Sequence, residues 1–391
     1  MQAAELIAGE WRNAPPRWGH PLHSLCSYMA MFPPSMPHVF IKWLTREGDV
    51  VYDPFSGRGT TPLEACALGR AGMGSDLNPL ANVLTSAKTN PPDWESLDSR
   101  VRRLKRQLRV LPTRDEPEAI RAVFAPGTLG QLLWLRSTLD RSTAEDAFIL
   151  AALMGILHLN ANANGVAKGL SVAMPNTFAM APGYVLKYIH DHALVAPEVD
   201  VVEMLASRLN RYRGHLALPQ RGMAWAQDAT LSGRIESGNS KAKLVFSSPP
   251  YLHVMKYGKF NWIRLWLLGE TPREVDNVLF STGSLTKYLR FMSLVLHRLA
   301  NVITDDGYIC LVIGDVRLGA RTVRLAEHVA ESCVPGSLVV RQIIEDRLPN
   351  DRKVSRIWGD TKGNATKTDR ILVLSAAGAG ALPSPPRFDW V

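Results

Sequence analysis

Two short stretches concentrate the side chains able to bind and react. The run AKLVFSSPPYLHV, Ala242 to Val254, breaks from an apolar segment into two serines, two prolines and a tyrosine. Pro249 and Pro250 remove two backbone donors and fix φ twice, so neither helix nor sheet continues through them. The apolar run Leu244 to Phe246 therefore ends in a rigid, extended corner. Ser248 offers a hydroxyl there, Pro249 a carbonyl oxygen without a local donor, and Tyr251 an aromatic ring. Two prolines also serve simply to end a strand, and the corner by itself does not choose between these readings. The second stretch, DPFSGRGTT from Asp53 to Thr61, places Gly57 and Gly59 between an acid and a threonine pair. Glycines in such a place permit a tight turn and let a ligand approach the backbone closely. Asp76 follows 23 positions after Asp53, where a carboxylate can accept both hydroxyls of a ribose. The competing pattern is a dinucleotide fingerprint, but Pro62 stands where its third glycine belongs. An acid also precedes the turn as well as following it. A nucleoside fits this arrangement, and a pyrophosphate is not demanded.

These residues need elements to bring them together. From about residue 48, GDVVYDPF reads as a short β-branched strand, SGRG as a turn and TTPLEACALGR as a helix. AGMGSDLNP is a second short strand that again ends in an acid. This rhythm predicts a parallel sheet with helices on its faces. Residues 90–222 read differently, as a mostly helical insertion. Val101, Leu104, Leu108 and Leu111 share one face of a helix expected over Ser99 to Leu111. Arginines and lysines, Arg102 and Arg103 among them, cover the rest of that helix, as either a solvated face or a phosphate-binding one. LGQLLWLRSTLD and DAFILAALMGILHL continue the helical pattern, and polar residues including Asn176 and Tyr184 follow. The α/β rhythm resumes at MAWAQDA and KLVFSSPPY. A helix from Lys287 to Ile303 and the strand GYICLVIGD come next. SLVVRQIIEDRL and DRILVLSA suit the closing hairpin of a mixed sheet, and the tail GAGALPSPPRF reads as a loosely held terminus. The expected division is a catalytic domain over 1–89 and 223–391, with the insertion between.

Together DPFSGRGTT, SDLNP and SSPPY resemble the S-adenosylmethionine-dependent amino-methyltransferases of DNA, which methylate exocyclic nitrogens of cytosine or adenine. The resemblance covers roughly residues 20–89 and 223–375. It implies an α/β fold, a Rossmann-like seven-stranded mixed sheet with an antiparallel final strand, and S-adenosyl-L-methionine as cofactor. It further implies that Asp53, Phe55, Ser56, Gly57, Gly59 and Thr60 hold the methionine end. Asp76, flanked by Leu77 and Asn78, would hold the ribose, and Asp228 the adenine amine. Phe32 and Pro33, in MAMFPPSMP, resemble the upstream segment that closes over the methionine.

In that setting the corner Ser248, Pro249, Pro250, Tyr251 acquires a specific chemistry. An aryl amine is a poor nucleophile because its lone pair is delocalised into the ring. A hydroxyl and a fixed carbonyl that accept both amine hydrogens orient the nitrogen and favour its tetrahedral character as it attacks a sulfonium methyl. Tyr251 would stack on a base flipped out of the duplex, since the amine is unreachable inside it. Neither a covalent nucleophile nor a metal is required. Serine ahead of the prolines, rather than Asp or Asn, resembles enzymes acting on N4 of cytosine, with N6 of adenine as the alternative. Lys256 and Lys259, with Arg102, Arg103 and Asn176 of the insertion, are the expected DNA contacts. The insertion is the expected target-recognition region.

Composition sets the outer limits. A chain of 391 residues with 46% apolar and 21% charged residues has ample material for a globular core. Its formal net charge of +9 suits a polyanionic partner. The resemblance makes that partner double-stranded DNA and admits a cognate restriction endonuclease encoded separately. Ala147 to Leu157 is too short an apolar run to cross a bilayer. No basic segment followed by an apolar core opens the chain, and Cys26, Cys66, Cys310 and Cys333 form no C-x-x-C pair. Both features point to the cytoplasm. His20, His23 and Cys26 recur every third residue but lack a clear fourth ligand for zinc. Two other readings compete. One is an RNA amine methyltransferase, which usually carries a separate RNA-binding module. The other is a catalytically silent, cofactor-sensing DNA-binding protein, against which the intact corner argues.

Overall fold

Eight strands form one sheet in the computed structural model, which describes residues 7–29, 31–159, 168–174, 180–231, 235, 241–252, 256–318, 321–347 and 365–390. They are β1 (Val50–Asp53), β2 (Ala71–Asp76), β3 (Met223–Ala226), β4 (Ala242–Ser247), β5 (Ile303–Leu318), β6 (Arg321–Val323), β7 (Leu338–Arg347) and β8 (Ala365–Ala376). Their order across the sheet is β3-β2-β1-β4-β5-β8-β7, with β6 paired to β5 off that path. Strands β1 to β5 run parallel, whereas β8 is antiparallel to both β5 and β7. This is the Rossmann-like mixed sheet expected from the sequence, with one strand more than expected. The extra strand arises because Arg321–Val323 folds back on the end of β5, pairing Val323 with Val316.

Strand order places the site. The chain builds outward from β1 through β2 to β3, then returns to lay β4 on the other side of β1. Parallel pairing routes each crossover over a sheet face, and the reversal leaves a crevice at the carboxyl ends of β1 and β4. Asp53 ends β1 and Ser248 directly follows β4. Alternation along β4 decides which helix covers which face. Leu244 and Phe246 pack with Phe40, Ile41 and Leu44 of the helix Ser35–Leu44. Val245 joins the opposite cluster with Tyr288, Val295 and Leu299 of the helix Leu285–Val302.

Between residues 90 and 222 every described element is a helix: Trp94–Gln107, Glu118–Val123, Pro126–Thr138, Ala144–Ile156, Pro182–Asp191 and Val201–Asn210. Ala144–Ile156 is apolar nearly all round and sits at their centre. Their core is continuous with Leu80 and Leu84 of the helix Pro79–Thr89 and with Trp262 and Leu265.

Two expectations are revised. The helix expected over Ser99 to Leu111 instead runs Trp94–Gln107, because Asp93 accepts from Ser96 N at 2.8 Å and caps its start. Its end comes before Leu111, whose N–H donates to Gly130 O at 3.1 Å. A side chain at Gly130 would press within 2.5 Å of Val110 and 2.7 Å of Leu111 O, so that glycine admits the close approach. The C-terminal tail, expected loose, is tied down by aromatic rings. Trp43 Nε1 donates to Pro383 O at 2.9 Å, Trp390 Nε1 to Glu10 Oε1 at 3.1 Å, and the Trp390 ring lies 4.9 Å from Trp18. Among the described residues no helix is long and apolar enough to cross a membrane.

Candidate functional site

Three adjacent strands each carry an acid at their carboxyl end: Asp53 on β1, Asp76 on β2 and, two residues beyond β3, Asp228. Between Asp53 and the helix Thr60–Ala67 the chain turns through Gly57 (φ 49°) and Gly59 (φ 74°), both left-handed. Asp76 holds this turn. Its Oδ2 accepts from Gly57 N at 3.0 Å and its Oδ1 from Asn78 N at 2.8 Å, and each oxygen keeps a further lone pair. Asn78 Oδ1 then caps the helix Pro79–Thr89 through Leu80 N at 3.1 Å. The two glycines serve different ends. Gly57 faces the cleft, and a Cβ there would lie 3.4 Å from the Tyr28 ring. Gly59 does not line the cleft, and a Cβ there would meet Thr85 Cα at 2.9 Å. Its lack of a side chain serves helix packing.

Asp53 is buried at the floor, its Oδ1 accepting from Phe55 N at 3.1 Å and from Ser247 Oγ at 2.5 Å. Burial pushes its carboxyl up to about 7 and that of Asp76 up to about 6. Beyond β4, Ser248 Oγ lies 3.2 Å from Val312 O and 3.3 Å from Tyr251 OH. The Tyr251 ring rests against Gly314 of β5, where a Cβ would come within 3.0 Å of Tyr251 Cε2 and 3.0 Å of Asp369 Oδ1. Burial keeps the Tyr251 hydroxyl neutral, well above its ordinary range. Strand β5 thus seats Ser248 and Tyr251.

These parts open on one cleft of about 740 Å³. Every cofactor or corner residue expected from the sequence lines it except Pro33 and Gly59. Pro33 is exposed beside Phe32, whose ring meets Phe246 edge-on at 5.4 Å. Asp228 keeps Oδ1 for Thr230 N and Oγ1, at 2.8 and 2.7 Å. Three carboxylates, a turn without a side chain at Gly57, and the apolar faces of Phe55 and Phe291 at 6.0 Å suit a cation bearing hydroxyl and amine hydrogens. S-adenosylmethionine is such a ligand, and the donor set fits it. The expected DNA contacts are placed otherwise. Arg102 and Arg103 are exposed on Trp94–Gln107, outside the cleft lining, and Arg102 pairs with Asp98 at 2.6 Å. Lys256 and Lys259 are exposed and flank Tyr257, which does line the cleft. Asn176 lies outside the described residues.

The segment from 11 to 82, which holds Asp53, the glycine turn and Asp76, matches the family model for DNA methylases of the N6/N4 type. Over 92 residues the chain is 33% identical to the type II methyltransferase M.MvaI of Kocuria varians, covering 23% of this chain and 20% of that protein. Over 76 residues it is 29% identical to the type II methyltransferase M.MjaII of Methanocaldococcus jannaschii, covering 19% and 14%. The matched stretches span one-fifth or less of those relatives' own lengths. Among solved structures, TrmN from Thermus thermophilus is similar over 91% of this chain and 52% of that one, with a TM-score of 0.35 and 9% identity.

Part of the cleft comes from residues that no motif marked. Tyr28 stacks on Tyr257 with centroids 6.1 Å apart, and Asn78 Nδ2 donates to its hydroxyl at 3.0 Å. Phe291 stacks on Phe280 at 3.8 Å. Tyr28 and Tyr257 are aromatic residues close to a motif, whereas Phe280 and Phe291 carry no such signal in the sequence. The His20, His23, Cys26 series is occupied structurally. His23 Nε2 meets Glu64 at 3.1 Å, the other Glu64 oxygen meets His38 Nδ1 at 2.7 Å, and burial drives His23 down to about 4. Cys26 Sγ donates to Ser27 O at 3.3 Å.

The raised carboxyls of Asp53 and Asp76 give a pH dependence with a definite sign. Asp53 and Asp76 bind protons more tightly when folded than at their ordinary 3.8. Their contribution to the stability of the ligand-free protein is full below 3.8 and is lost as pH rises through about 6 to 7. A cationic ligand favours the ionised forms, so S-adenosylmethionine affinity is expected to rise with pH, by up to roughly tenfold per unit between about 6 and 7 and more steeply below about 6, where both carboxyls must release a proton. Calorimetric titrations between about pH 5 and pH 8 check this, with proton release on binding as the second readout. Asp53→Asn is expected to flatten the profile.

Proposed function

We propose that this protein transfers a methyl group from S-adenosylmethionine to N4 of a cytosine swung out of duplex DNA. The observation that carries this reading is that the Ser-Pro-Pro-Tyr corner after β4 opens onto the same cleft as the three acids after β1, β2 and β3. When bound, S-adenosylmethionine supplies an electrophilic methyl group on a positively charged sulfur. The chain's own residues prepare the amine. Ser248 Oγ donates its hydrogen toward Val312 O or Tyr251 OH, which leaves its lone pairs to accept one amine hydrogen. The Pro249 carbonyl accepts the other. Held by both, the nitrogen lone pair turns out of the ring plane, the N–CH3 bond forms as the C–S bond breaks, and the surplus proton leaves to water. Tyr251 supports the base by its ring. Serine in the first position supports cytosine over adenine, and the helices of 90–222 are the proposed target-recognition region.

Nucleoside analysis of DNA and RNA from cells expressing the protein tests the reading. N4-methylcytosine in DNA is the expected product. N6-methyladenine would overturn the base assignment, and methylation confined to RNA the substrate class. Loss of all methylation with cofactor binding intact would favour a silent binding protein.

The seat on β5 gives a further expected result. Gly314→Ala puts a methyl group within 3.0 Å of Tyr251 and Asp369, so the ring must move into the cleft. Single-turnover transfer is expected to fall by about tenfold, with S-adenosylmethionine affinity unchanged. An unaltered rate would show that the ring tolerates displacement.

A further inference from the structure

The acids at the cleft floor suit a cation, but one lip has the opposite character. The helix Leu285–Val302 presents Lys287, Arg290, Phe291 and Leu294 to the cleft, at the i, i+3, i+4 and i+7 spacing of a single helix face. Its other stripe, Tyr288, Met292, Val295 and Leu299, is buried against the sheet, so the orientation is set by the core. Lys287 and Arg290 are exposed, and among the described residues neither enters an ion pair. Of the basic residues favoured by the sequence, Arg102, paired with Asp98, and Arg103 lie on a helix outside the cleft lining, whereas Lys256 and Lys259 flank Tyr257, which lines it. Large apolar side chains surround the same mouth. Met31 (47% exposed), Val278 (58%) and Leu294 (51%) all line it, although solvent-exposed large apolar residues are few in the described chain. Cations one helical turn apart beside apolar side chains match a strand of nucleic acid, with phosphates for the charges and sugars and base faces for the apolar groups.

We propose that Lys287 and Arg290 grip the backbone phosphates flanking the extruded nucleotide, while Leu294 and Val278 lie against its sugar and neighbouring bases. This rests on the functional reading above and gives it a specific footing on DNA. Neither cation bonds to Asp53, Asp76 or Asp228, so the grip is separable from cofactor binding.

The test measures binding of the full-length protein to a labelled DNA duplex over a salt series, for the wild type, the double variant Lys287→Gln/Arg290→Gln, and the charge-preserving pair Lys287→Arg/Arg290→Lys. Removing two phosphate contacts is expected to make the slope of log K against log salt shallower by about 1.8 and to weaken binding by roughly 10- to 100-fold at low salt. KM for duplex should rise more than kcat falls, S-adenosylmethionine affinity should stay unchanged, and the charge-preserving pair should keep the wild-type slope. A neutral variant with wild-type slope and affinity overturns the grip while leaving the functional reading standing. Wild-type duplex binding that ignores salt overturns both.

Discussion

Asp76→Ala is expected to reduce S-adenosylmethionine affinity by at least about a hundredfold. The carboxylate holds the glycine turn through Gly57 N at 3.0 Å and Asn78 N at 2.8 Å, and its remaining lone pairs are those proposed for the ribose hydroxyls. Hydrogen bonds to a charged group contribute about 1.5–3 kcal/mol each, so losing two costs about 3 kcal/mol or more, a hundredfold in affinity. The damage has two parts, a turn that relaxes and an acceptor that is gone. Asp76→Asn separates them, because an amide keeps the shape and one acceptor but cannot receive both backbone N–H groups. Its affinity is expected to fall between wild type and alanine. Isothermal calorimetry measures the affinities, and thermal unfolding reports the turn. Wild-type affinity in a destabilised Asp76→Ala protein would confine Asp76 to a structural role.

The adjacent serines should separate binding from chemistry. Ser247 Oγ donates to Asp53 at 2.5 Å, whereas Ser248 Oγ faces Val312 O and Tyr251 OH. Ser248→Ala is therefore expected to slow single-turnover methyl transfer while leaving cofactor affinity nearly intact. Ser247→Ala is expected to change cofactor affinity and its pH dependence. Tyr251→Ala should lose base stacking of roughly 1–3 kcal/mol and cut transfer by about one to two orders of magnitude. Tyr251→Phe keeps the ring and loses only the contact with Ser248, so a change of a few-fold is expected. Ser248→Asp is expected to retain some transfer, because a carboxylate also accepts an amine hydrogen, and to shift the balance toward adenine. The measurement is transfer of labelled methyl to duplex DNA followed by nucleoside analysis. Wild-type rates in both Ser248→Ala and Tyr251→Ala would mean that the amine is held elsewhere.

What the sequence by itself determined is what local chemistry encodes. A short β-branched run ending in Asp53, a second short run ending in Asp76, the glycine turn between them and the proline corner after Phe246 each lie within a few residues, so spacing and φ preference expose them. The closing hairpin of β7 and β8 was legible for the same reason. Which of these local pieces meet is a different matter. Only the placement of β4 beside β1, across a helical insertion of more than a hundred residues, brings Ser248 onto the cleft that Asp53 floors. Gly59 reads in the sequence like Gly57, and only the tertiary structure sets Thr85 2.9 Å from its would-be Cβ. The tail reads as loose until Trp43, Glu10 and Trp18 meet it from the other end of the chain. Periodicity identifies the apolar stripe of Leu285–Val302, but it cannot say what the opposite face overlooks. Lys287 and Arg290 look in the sequence like any solvated cations, as Arg102 and Arg103 do. Tertiary packing alone sets one pair on the lip of the cleft and the other outside it, because helix orientation follows from which side of the sheet its buried stripe must cover.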